Sequence, residues 1–552
     1  MLKSTDIIIS VCYILLILVI GLWTGIKSQK RSKLKSENEA DSYFLAGKSL
    51  RWPTIGLALF ATNISCLHLV SLAQSGFDTG LLNGNFEWMA SFTLILLALF
   101  FVPFYIRSGV TTLPDFLERR YDKSSRDWLA FVSVVSAVII HIAFSLLAGG
   151  IVLQTLFGVN MYTSVIVIAI ITAIYTVVGG LSAVVVTESI QTVVLLAGAI
   201  IMSVLSYHKM GGWGQMLSVL HSHNALDKLV MLRPSGDGSG MPWYAVFLGY
   251  PVIGIWYWCA DQTIVQRVLG AKDENNARVG AIFCGFIKIL PVFIFVLPGL
   301  FAWVLVQNGG LNIEALKTIQ DGKTVINSKG IYTLMITQLI PTGLVGVLVA
   351  ALLSGLMSQI SGALNSISTL VSYDIYKRYR PGVSNKKLVN VGKYAAATAL
   401  IISLFLLPLL NSYESIFNGI NDIIAHIAPP ITCVFLTGLF WKRASAISAK
   451  YTLWIGSLAG VLVFTAEKTL TGSTISQIPF MLMAFYLFCF CLALQVGLAL
   501  AYPAVHTAES RTLYWKHPFE ALEGKGWPGL GNYKLLSGTL LLLMIVLYYW
   551  FS

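Results

Sequence analysis

Three ionisable side chains, Glu87, Glu188 and Lys288, lie inside long apolar stretches of the sequence. A charge at membrane depth is costly unless it faces water or a partner. A carboxylate accepts hydrogen bonds from hydroxyl groups and an ammonium group donates three, so Glu87 and Lys288 in one cavity would hold a polyhydroxylated solute. The alternative is that both only stabilise helix packing by pairing with neighbours. Glu188 lies near the end of its apolar stretch and has the weaker claim to a functional role.

Small and polar residues interrupt two apolar stretches near their middles, at residues 61–68 and 249–258. Such residues let a membrane helix unwind and present bare backbone carbonyls. Each interrupted stretch opens a run of five consecutive apolar stretches. This pattern is typical of secondary transporters built from two inverted repeats that each begin with a discontinuous helix.

Histidine and aromatic residues near these stretches allow more than one interpretation. Two histidines are either satisfied buried residues or solute contacts: His68 and His141. Four aromatic residues fit ordinary helix packing as well as stacking on a solute: Phe86, Tyr257, Trp258 and Phe417. The residues alone therefore leave the solute contacts open.

The elements that must position these residues are membrane-spanning helices. Only 11% of the 552 residues are charged, against about 25% in a soluble domain, and the apolar runs lack the alternation of a membrane barrel. Windows of about 19 residues find about fourteen apolar segments. They lie near 5–26, 52–74, 80–106, 128–156, 161–179, 184–207, 242–265, 279–307, 338–373, 388–411, 416–440, 446–466, 480–502 and 534–551. We predict an all-α polytopic membrane protein.

The order of these segments predicts a single integral membrane domain over residues 1–552. Its parts are a first helix at 5–26, a first inverted repeat at 52–207, a second inverted repeat at 242–440 and peripheral C-terminal helices at 446–551. The core is therefore expected to contain five plus five helices.

The formal net charge is +12, and the basic residues lie in loops beside the apolar segments. Most of them fall on the side that receives residues 27–51, which the positive-inside rule assigns to the cytoplasm. We therefore expect both termini outside the cytoplasm, in a plasma membrane or a bacterial inner membrane. The dense basic groups at residues 119–123 and 377–380 are interpreted as topology signals. A lipid bilayer is the expected partner of these charges, and nucleic acid is not.

Nothing in the sequence points to covalent chemistry. We find no nucleophile, metal-ligand set or phosphate-binding loop that would support a reaction, so we expect no enzymatic activity and no cofactor. All seven Cys residues fall in or beside apolar stretches, without the spacing of a disulfide framework. We therefore expect no disulfide.

Four motifs resemble those of the solute:sodium symporters, and the similarity extends over nearly the whole chain. They are DSYFLAG at 41–47, GGLSA at 179–183, WYWCADQ at 256–262 followed by Gln266-Arg267, and LNS at 364–366 leading to YDIY at 373–376. The sequence is most similar to the sodium/glucose and sodium/galactose cotransporter branch. The resemblance implies fourteen helices around a ten-helix core that moves a solute inward with sodium by alternating access.

The resemblance also implies which residues contact the solute. The implied solute-binding residues are His68, Glu87, Lys288 and Asn421, together with the aromatic residues Tyr257 and Trp258. Tyr257 takes the place of the inner gate, and the outer gate positions are Leu72, Phe86 and Phe417. Polar groups of the bacterial galactose site are replaced here by His141, Gly254 and Ala90.

A sodium site is implied by the same resemblance. Its ligands are the carbonyls of Ala61, Ile64 and Gly355, the hydroxyl of Ser358, and Gln359, which stands where the family usually has a second Ser or Thr. Sodium is a hard cation that takes oxygen ligands, so unwound carbonyls and hydroxyls suit it. Glu188 replaces the usual Asp of the family as a coupling residue.

We therefore predict a sodium-coupled symporter that imports a sugar or polyol, such as a hexose or an inositol-like solute, with sodium as the co-transported ion. The alternative is a sodium symporter of a non-sugar solute such as a carboxylate, an amino acid or a vitamin. An anion would use Lys288, whereas Glu87 would repel it. A third interpretation is a membrane sensor or channel without coupled transport.

Overall fold

The computed structural model describes residues 3–34, 39–237, 239–320, 323–410, 416–470 and 472–552, without the side chains at 31–34, 66–67, 318–320, 323–325 and 416–418. In this part of the chain eleven helices are long and apolar enough to cross a membrane. They are Ser4–Lys30, His68–Ser108, Lys123–Phe157, Met161–Met210, Glu274–Gln307, Leu344–Tyr379, Asn385–Leu410, Gly419–Phe440, Ala446–Thr469, Phe480–Ala501 and Tyr533–Trp550.

The prediction of about fourteen segments differs from these eleven helices for two reasons. The segments predicted at 161–179 and 184–207 follow each other without a connecting loop in Met161–Met210, which we call the bent helix because its two helical halves meet at a non-helical Gly180, with φ 59° and ψ −158°. A Cβ atom at Gly180 would lie 2.4 Å from the carbonyl oxygen of Tyr43, so glycine is required there. The segments predicted at 52–74 and 242–265 are broken helices whose halves are each too short to cross a membrane alone.

The first broken helix consists of Trp52–Asn63 and Cys66–Thr79. Ile64 and Ser65 between them have extended backbone, with ψ angles of 113° and 173°. The Ser65 N–H donates to Nδ1 of His68 at 3.2 Å, so it does not continue the ladder of the preceding helix. The break lies inside the interruption predicted at residues 61–68.

The second broken helix runs through Trp243–Ile255 and a π-helical turn at Trp256–Ala260, and it resumes at Gln262–Leu269. The sequence placed the interruption at 249–258, but the helix breaks later, at Asp261. The Asp261 carboxylate accepts hydrogen bonds from the N–H groups of Thr263 at 2.6 Å and Ile264 at 3.3 Å. A carboxylate in this position begins a new helix, which explains the shift.

Four long helices contain π-helical turns, which are rare and often mark functional positions. Their parts are Asn85–Leu96 and Val102–Ser108 around Leu97–Phe101; Lys123–Ser136 and Phe144–Phe157 around Ala137–Ala143; Glu274–Ile287 and Leu297–Gln307 with a turn at Val292–Val296; and Leu344–Leu370 followed by Val371–Tyr376.

Short elements connect the long helices. The helical ones are Glu39–Leu45, Leu113–Arg120, Gly212–Ser222, Ile331–Leu339 and Lys377–Tyr379. The two strands described, Lys317–Gln320 and Lys323–Ile326, pair antiparallel between the helices Leu297–Gln307 and Ile331–Leu339. The described cysteine side chains, Cys12, Cys259, Cys284, Cys433, Cys489 and Cys491, are unpaired.

The centre of the bundle is Leu344–Leu370, which we call the central helix because nearly all of its residues are buried. It packs against the bent helix, against Ser4–Leu34 and against Asn385–Leu410. Ser358 and Gln359 lie in the middle of the central helix, so the packing of the bundle holds both of them close to the first broken helix.

The basic group at residues 119–123 has a structural role besides its predicted role as a topology signal. The buried guanidinium of Arg120 donates to the backbone carbonyls of Gly438 at 2.7 Å and Trp441 at 3.3 Å. These carbonyls lie at the end of the helix Ile416–Phe440, where a cation interacts favourably with the helix dipole.

Candidate solute and ion sites

A buried cavity lies where the two broken helices approach the helices at 85–108 and 274–307. Most of the residues that the sequence assigned to the solute line this cavity, namely His68, Phe86, Glu87, Tyr257, Trp258, Lys288 and Asn421. The structure therefore brings together residues that are far apart in the sequence.

Glu87 and Lys288 form an ion pair in this cavity, which we call the cavity pair. Their side chains are 3% and 1% exposed. The Lys288 ammonium also donates to Oδ1 of Asn63 at 2.6 Å, and it lies 5.5 Å from the centre of the Trp258 ring. Two charges removed from water at this depth are costly unless further hydrogen bonds and a good geometry compensate them.

Asn63 was not assigned to the site from the sequence, although it lies within the interruption at 61–68. Its amide oxygen accepts from Lys288, and its amide nitrogen donates to the Tyr257 hydroxyl at 3.2 Å. Asn63 is the last residue of Trp52–Asn63, immediately before the break. The signal for it was therefore its position at the end of a broken helix, and the missing information was the side chain's direction.

His68 contacts the local backbone and also lines the cavity. Its Nδ1 accepts from the Ser65 N–H, so the ring proton lies on Nε2. His68 also lines the cavity. Both interpretations of His68, a satisfied buried histidine and a solute contact, are compatible with this geometry.

Two of the four predicted gate residues line the cavity, one is buried but does not line it, and the side chain of the fourth lies outside the described residues. Phe86 lines the cavity, its ring lies 6.1 Å from those of Tyr250 and Phe480, and Tyr257 lines the cavity from the second broken helix. Leu72 is buried and is not among the residues that line the cavity. The side chain of Phe417 lies outside the described residues.

Three oxygen atoms of the predicted sodium site, those of Ala61, Gly355 and Ser358, lie close together beside the first broken helix. The Ser358 hydroxyl donates to the carbonyl of Ala61 at 2.8 Å and lies 3.1 Å from the carbonyl of Gly355. Ala61 can offer its carbonyl because the Ser65 N–H turns to His68 instead. Ile64 lies in the break itself. Carbonyl and hydroxyl oxygens close together are the ligand type that sodium prefers.

Gln359 and His141 contact each other, and His141 also contacts Asp261. Gln359 lines the cavity, and its amide nitrogen lies 3.3 Å from Nδ1 of His141. Nε2 of His141 lies 3.1 Å from Oδ2 of Asp261. His141 is fully buried and is therefore a satisfied buried histidine.

Glu188 forms a second buried ion pair, with Arg267, which we call the sealed pair. Both side chains have 0% exposure, and two guanidinium nitrogens reach the carboxylate at 2.5 and 3.3 Å. The Thr62 hydroxyl donates to the same carboxylate at 3.2 Å. Glu188 lies shortly after the break at Gly180, near the start of the second half of the bent helix.

Arg267 belongs to one of the family motifs, but its pairing with Glu188 could not be predicted from that motif. It belongs to Gln262–Leu269 of the second broken helix, whereas Thr62 belongs to the first. The Glu188 carboxylate therefore contacts both broken helices from the bent helix. An arginine beside an apolar stretch was the available signal for this pair.

A bundle of membrane helices with two broken helices beside a buried polar cavity defines a secondary transporter and not an enzyme. The chain is thus a multi-pass membrane protein of the transporter class. It belongs to the sodium:solute symporter family, whose model matches residues 43–456.

The chain is also similar to individual relatives. It is 32% identical to sodium/glucose cotransporter 1 of Ovis aries, over 83% of this chain and 71% of the relative. It is 33% identical to sodium/glucose cotransporter 2 of Rattus norvegicus, again over 83% of this chain and 71% of the relative. Sodium is accordingly the co-transported ion of this family, and these relatives indicate no cofactor.

Solved structures show the same fold. A sodium-coupled sialic acid symporter in a substrate-bound, outward-open state matches 92% of this chain and 100% of its own, with a TM-score of 0.78 and 22% sequence identity. The nucleobase-cation symporter Mhp1 matches 85% of this chain with a TM-score of 0.53 and 13% identity. At such identities the likeness concerns the fold alone.

Proposed function

We propose that this chain is a sodium-coupled symporter that imports a neutral sugar or polyol, such as a hexose or an inositol-like solute, by alternating access. The observation that carries the proposal is the cavity pair with Asn63, because carboxylate, ammonium and amide groups together offer both acceptors and donors to hydroxyl groups. Relatives at 32% and 33% identity bear the name sodium/glucose cotransporter, which favours the same solute class.

The charge of the cavity favours a neutral solute over an anion. Glu87 and Lys288 cancel each other, so the pair leaves no net charge to attract a carboxylate. A hydroxyl-rich solute would replace part of the contact between the two side chains without leaving either charge unpaired. His68 and Asn421 line the same cavity and would add further contacts.

The proposed cycle begins with sodium at the first broken helix, held by the oxygens of Ala61, Ile64, Gly355, Ser358 and Gln359. Sodium there favours the outward-open state and raises the affinity for the solute, and linkage requires the solute to raise the affinity for sodium equally. An inside-negative membrane potential adds about 2.3 kcal/mol per charge for each 100 mV.

We assign the coupling role to Glu188 in the sealed pair. The contacts to Thr62 and Arg267 support this role, since they connect the bent helix to both broken helices. The inner gate is assigned to Tyr257 and the outer gate to Leu72, Phe86 and Phe417. We assign the two inverted repeats to residues 52–207 and 242–440, each beginning with a broken helix.

The positive-inside bias supports a topology with both termini outside the cytoplasm. The proposed location is a plasma membrane or a bacterial inner membrane. Accessibility of single cysteines at exposed positions in intact cells would test this orientation, and labelling of residues 27–51 from the outside would contradict it.

The experiment is uptake of labelled hexoses, inositols, uronic acids and amino acids into proteoliposomes, with and without an inward sodium gradient. We expect gradient-driven accumulation of one neutral sugar or polyol. Accumulation of none of the neutral solutes would favour the carboxylate, amino acid or vitamin alternative. Accumulation that ignores sodium would contradict sodium coupling.

The variant Glu87→Gln separates the two solute classes. For a neutral sugar, loss of the carboxylate removes an acceptor and leaves the Lys288 ammonium without its counter-charge, so uptake falls. For an anionic solute, removal of the repelling charge raises the affinity instead. Competition of uptake by unlabelled sugars and carboxylates measures both directions in the same variant.

A further inference from the structure

We infer that Asp261 and His141 are positioning residues that orient the Gln359 amide so that its oxygen completes the ion site. Gln359 is longer than a serine or threonine and has more rotatable bonds, so it loses more conformational freedom when it binds an ion. A fixed partner for its amide nitrogen removes much of that freedom before the ion arrives. This inference rests on the proposed sodium symport.

The Asp261 carboxylate determines the direction of the hydrogen bonds that connect Asp261, His141 and Gln359. An ionised carboxylate only accepts, so Nε2 of His141, 3.1 Å from Oδ2 of Asp261, carries the ring proton. Nδ1 then presents a lone pair and can only accept, so a donor of the Gln359 amide and not its oxygen must face it. The nitrogen of the Gln359 amide, 3.3 Å away, supplies that donor.

Asp261 is itself held in place. Its other oxygen, Oδ1, accepts from the N–H groups of Thr263 at 2.6 Å and Ile264 at 3.3 Å, where the second broken helix resumes. The side chains of Asp261, His141 and Gln359 are all buried. The direction of the Gln359 amide is therefore determined by the break in the second broken helix.

The amide oxygen of Gln359 is the last group in this series of hydrogen bonds. Oε1 is buried and has no hydrogen-bond partner among the described residues. Gln359 follows Ser358, whose hydroxyl lies 2.8 Å from the carbonyl oxygen of Ala61. A buried acceptor without a donor is unfavourable, and a cation beside these oxygens would satisfy it. The hydrogen bonds from Asp261 through His141 to Gln359 thus connect the second broken helix to the ion site beside the first broken helix.

A double-mutant cycle tests the positioning role in the full-length protein. His141→Ala is made in the wild type and in the Gln359→Ser background, and the sodium concentration for half-maximal uptake is measured in all four proteins. A serine oxygen sits on a short side chain and has no amide nitrogen for His141 to hold. We expect His141→Ala to raise the half-maximal sodium concentration by about tenfold in the wild type and by less than about twofold with Ser at 359.

The outcomes separate this inference from the proposed function. If His141→Ala shifts the sodium dependence equally in both backgrounds, His141 has only a general structural role and the inference is wrong, while sodium symport stands. If the wild type itself shows no sodium dependence, the proposed function is wrong.

A second variant tests the inference if the Gln359→Ser protein is not functional. Asp261→Asn keeps the size of the side chain and retains Oδ1 for the helix start, but its amide nitrogen donates to Nε2 and moves the ring proton to Nδ1. That proton faces the Gln359 amide nitrogen and displaces it. We expect sodium-induced thermal stabilisation of the purified variant to require about tenfold more sodium. An unchanged sodium requirement would overturn the inference.

Discussion

Two buried ion pairs connect helices of this transporter, and they differ in their surroundings. The cavity pair joins Glu87 to Lys288, and the sealed pair joins Glu188 to Arg267. In both, each side chain is at most 3% exposed. In the sealed pair two guanidinium nitrogens and the Thr62 hydroxyl satisfy the carboxylate, whereas the cavity pair borders open space.

The difference shows that burial of a charge does not by itself identify a solute site. In the sealed pair the Glu188 carboxylate also accepts from the Thr62 hydroxyl, and Arg267 also donates to the carbonyl of Thr263. The cavity pair lies where a solute can reach both charges. A solute can therefore replace one partner of a buried pair that lies beside a cavity. It cannot reach a buried pair that borders no cavity.

The largest expected effect is on stability, at the sealed pair. Arg267→Leu leaves the Glu188 carboxylate buried without a counter-charge, which costs about 3–5 kcal/mol. We expect little folded protein at the membrane and a strongly lowered melting temperature in detergent. The matched control is the double variant Arg267→Leu with Glu188→Leu, which should recover part of the stability. A single variant as stable as the wild type would contradict the account of this pair.

The next effect is on transport, at the cavity pair. Glu87→Ala and Lys288→Ala should each lower uptake by about 90% or more, while the protein still reaches the membrane, because water can enter the cavity beside the remaining charge. The double variant should recover stability but not uptake. Normal uptake by both single variants would refute the proposed solute site.

A smaller effect is expected at the edge of the cavity. Tyr257→Phe removes the hydroxyl that accepts a hydrogen bond from the Asn63 amide nitrogen. The Asn63 side chain, whose oxygen accepts from Lys288, is then less well fixed in place. One hydrogen bond of about 0.5–1.5 kcal/mol corresponds to a KM that is about twofold to tenfold higher. Initial rates of uptake over a range of solute concentrations measure this change. An unchanged KM would mean that the Asn63 contact plays no part in solute binding.

Much of the fold follows from the sequence, because a bilayer imposes a minimum length on every apolar segment. The break at residues 61–68 could be predicted since small and polar residues cluster there. The break at Asp261 was displaced from its predicted place, because a single helix-capping carboxylate decides it. The segments 161–179 and 184–207 were predicted as separate helices, but hydropathy does not show that a single glycine in an unusual conformation connects them.

The partners within the site could be predicted less well than its members. Glu87 and Lys288 stood out as charges in apolar stretches, but their pairing depends on how two distant helices are rotated against each other. The same holds for Glu188 with Arg267 and for Asn63. Gln359 was suspected as an ion ligand from its position beside Ser358, whereas its contact with His141 appears only once the helices are packed.

The assignment of the cavity pair to the solute can be tested most directly by sodium-dependent binding of a labelled sugar or polyol to the purified protein. The wild type and Glu87→Gln are compared, with sodium-induced thermal stabilisation measured on the same samples. We predict that Glu87→Gln loses solute binding and keeps the sodium response, because neither Glu87 nor Lys288 is among the proposed ion ligands. Solute binding by Glu87→Gln with wild-type affinity would contradict the assignment of the cavity pair to the solute.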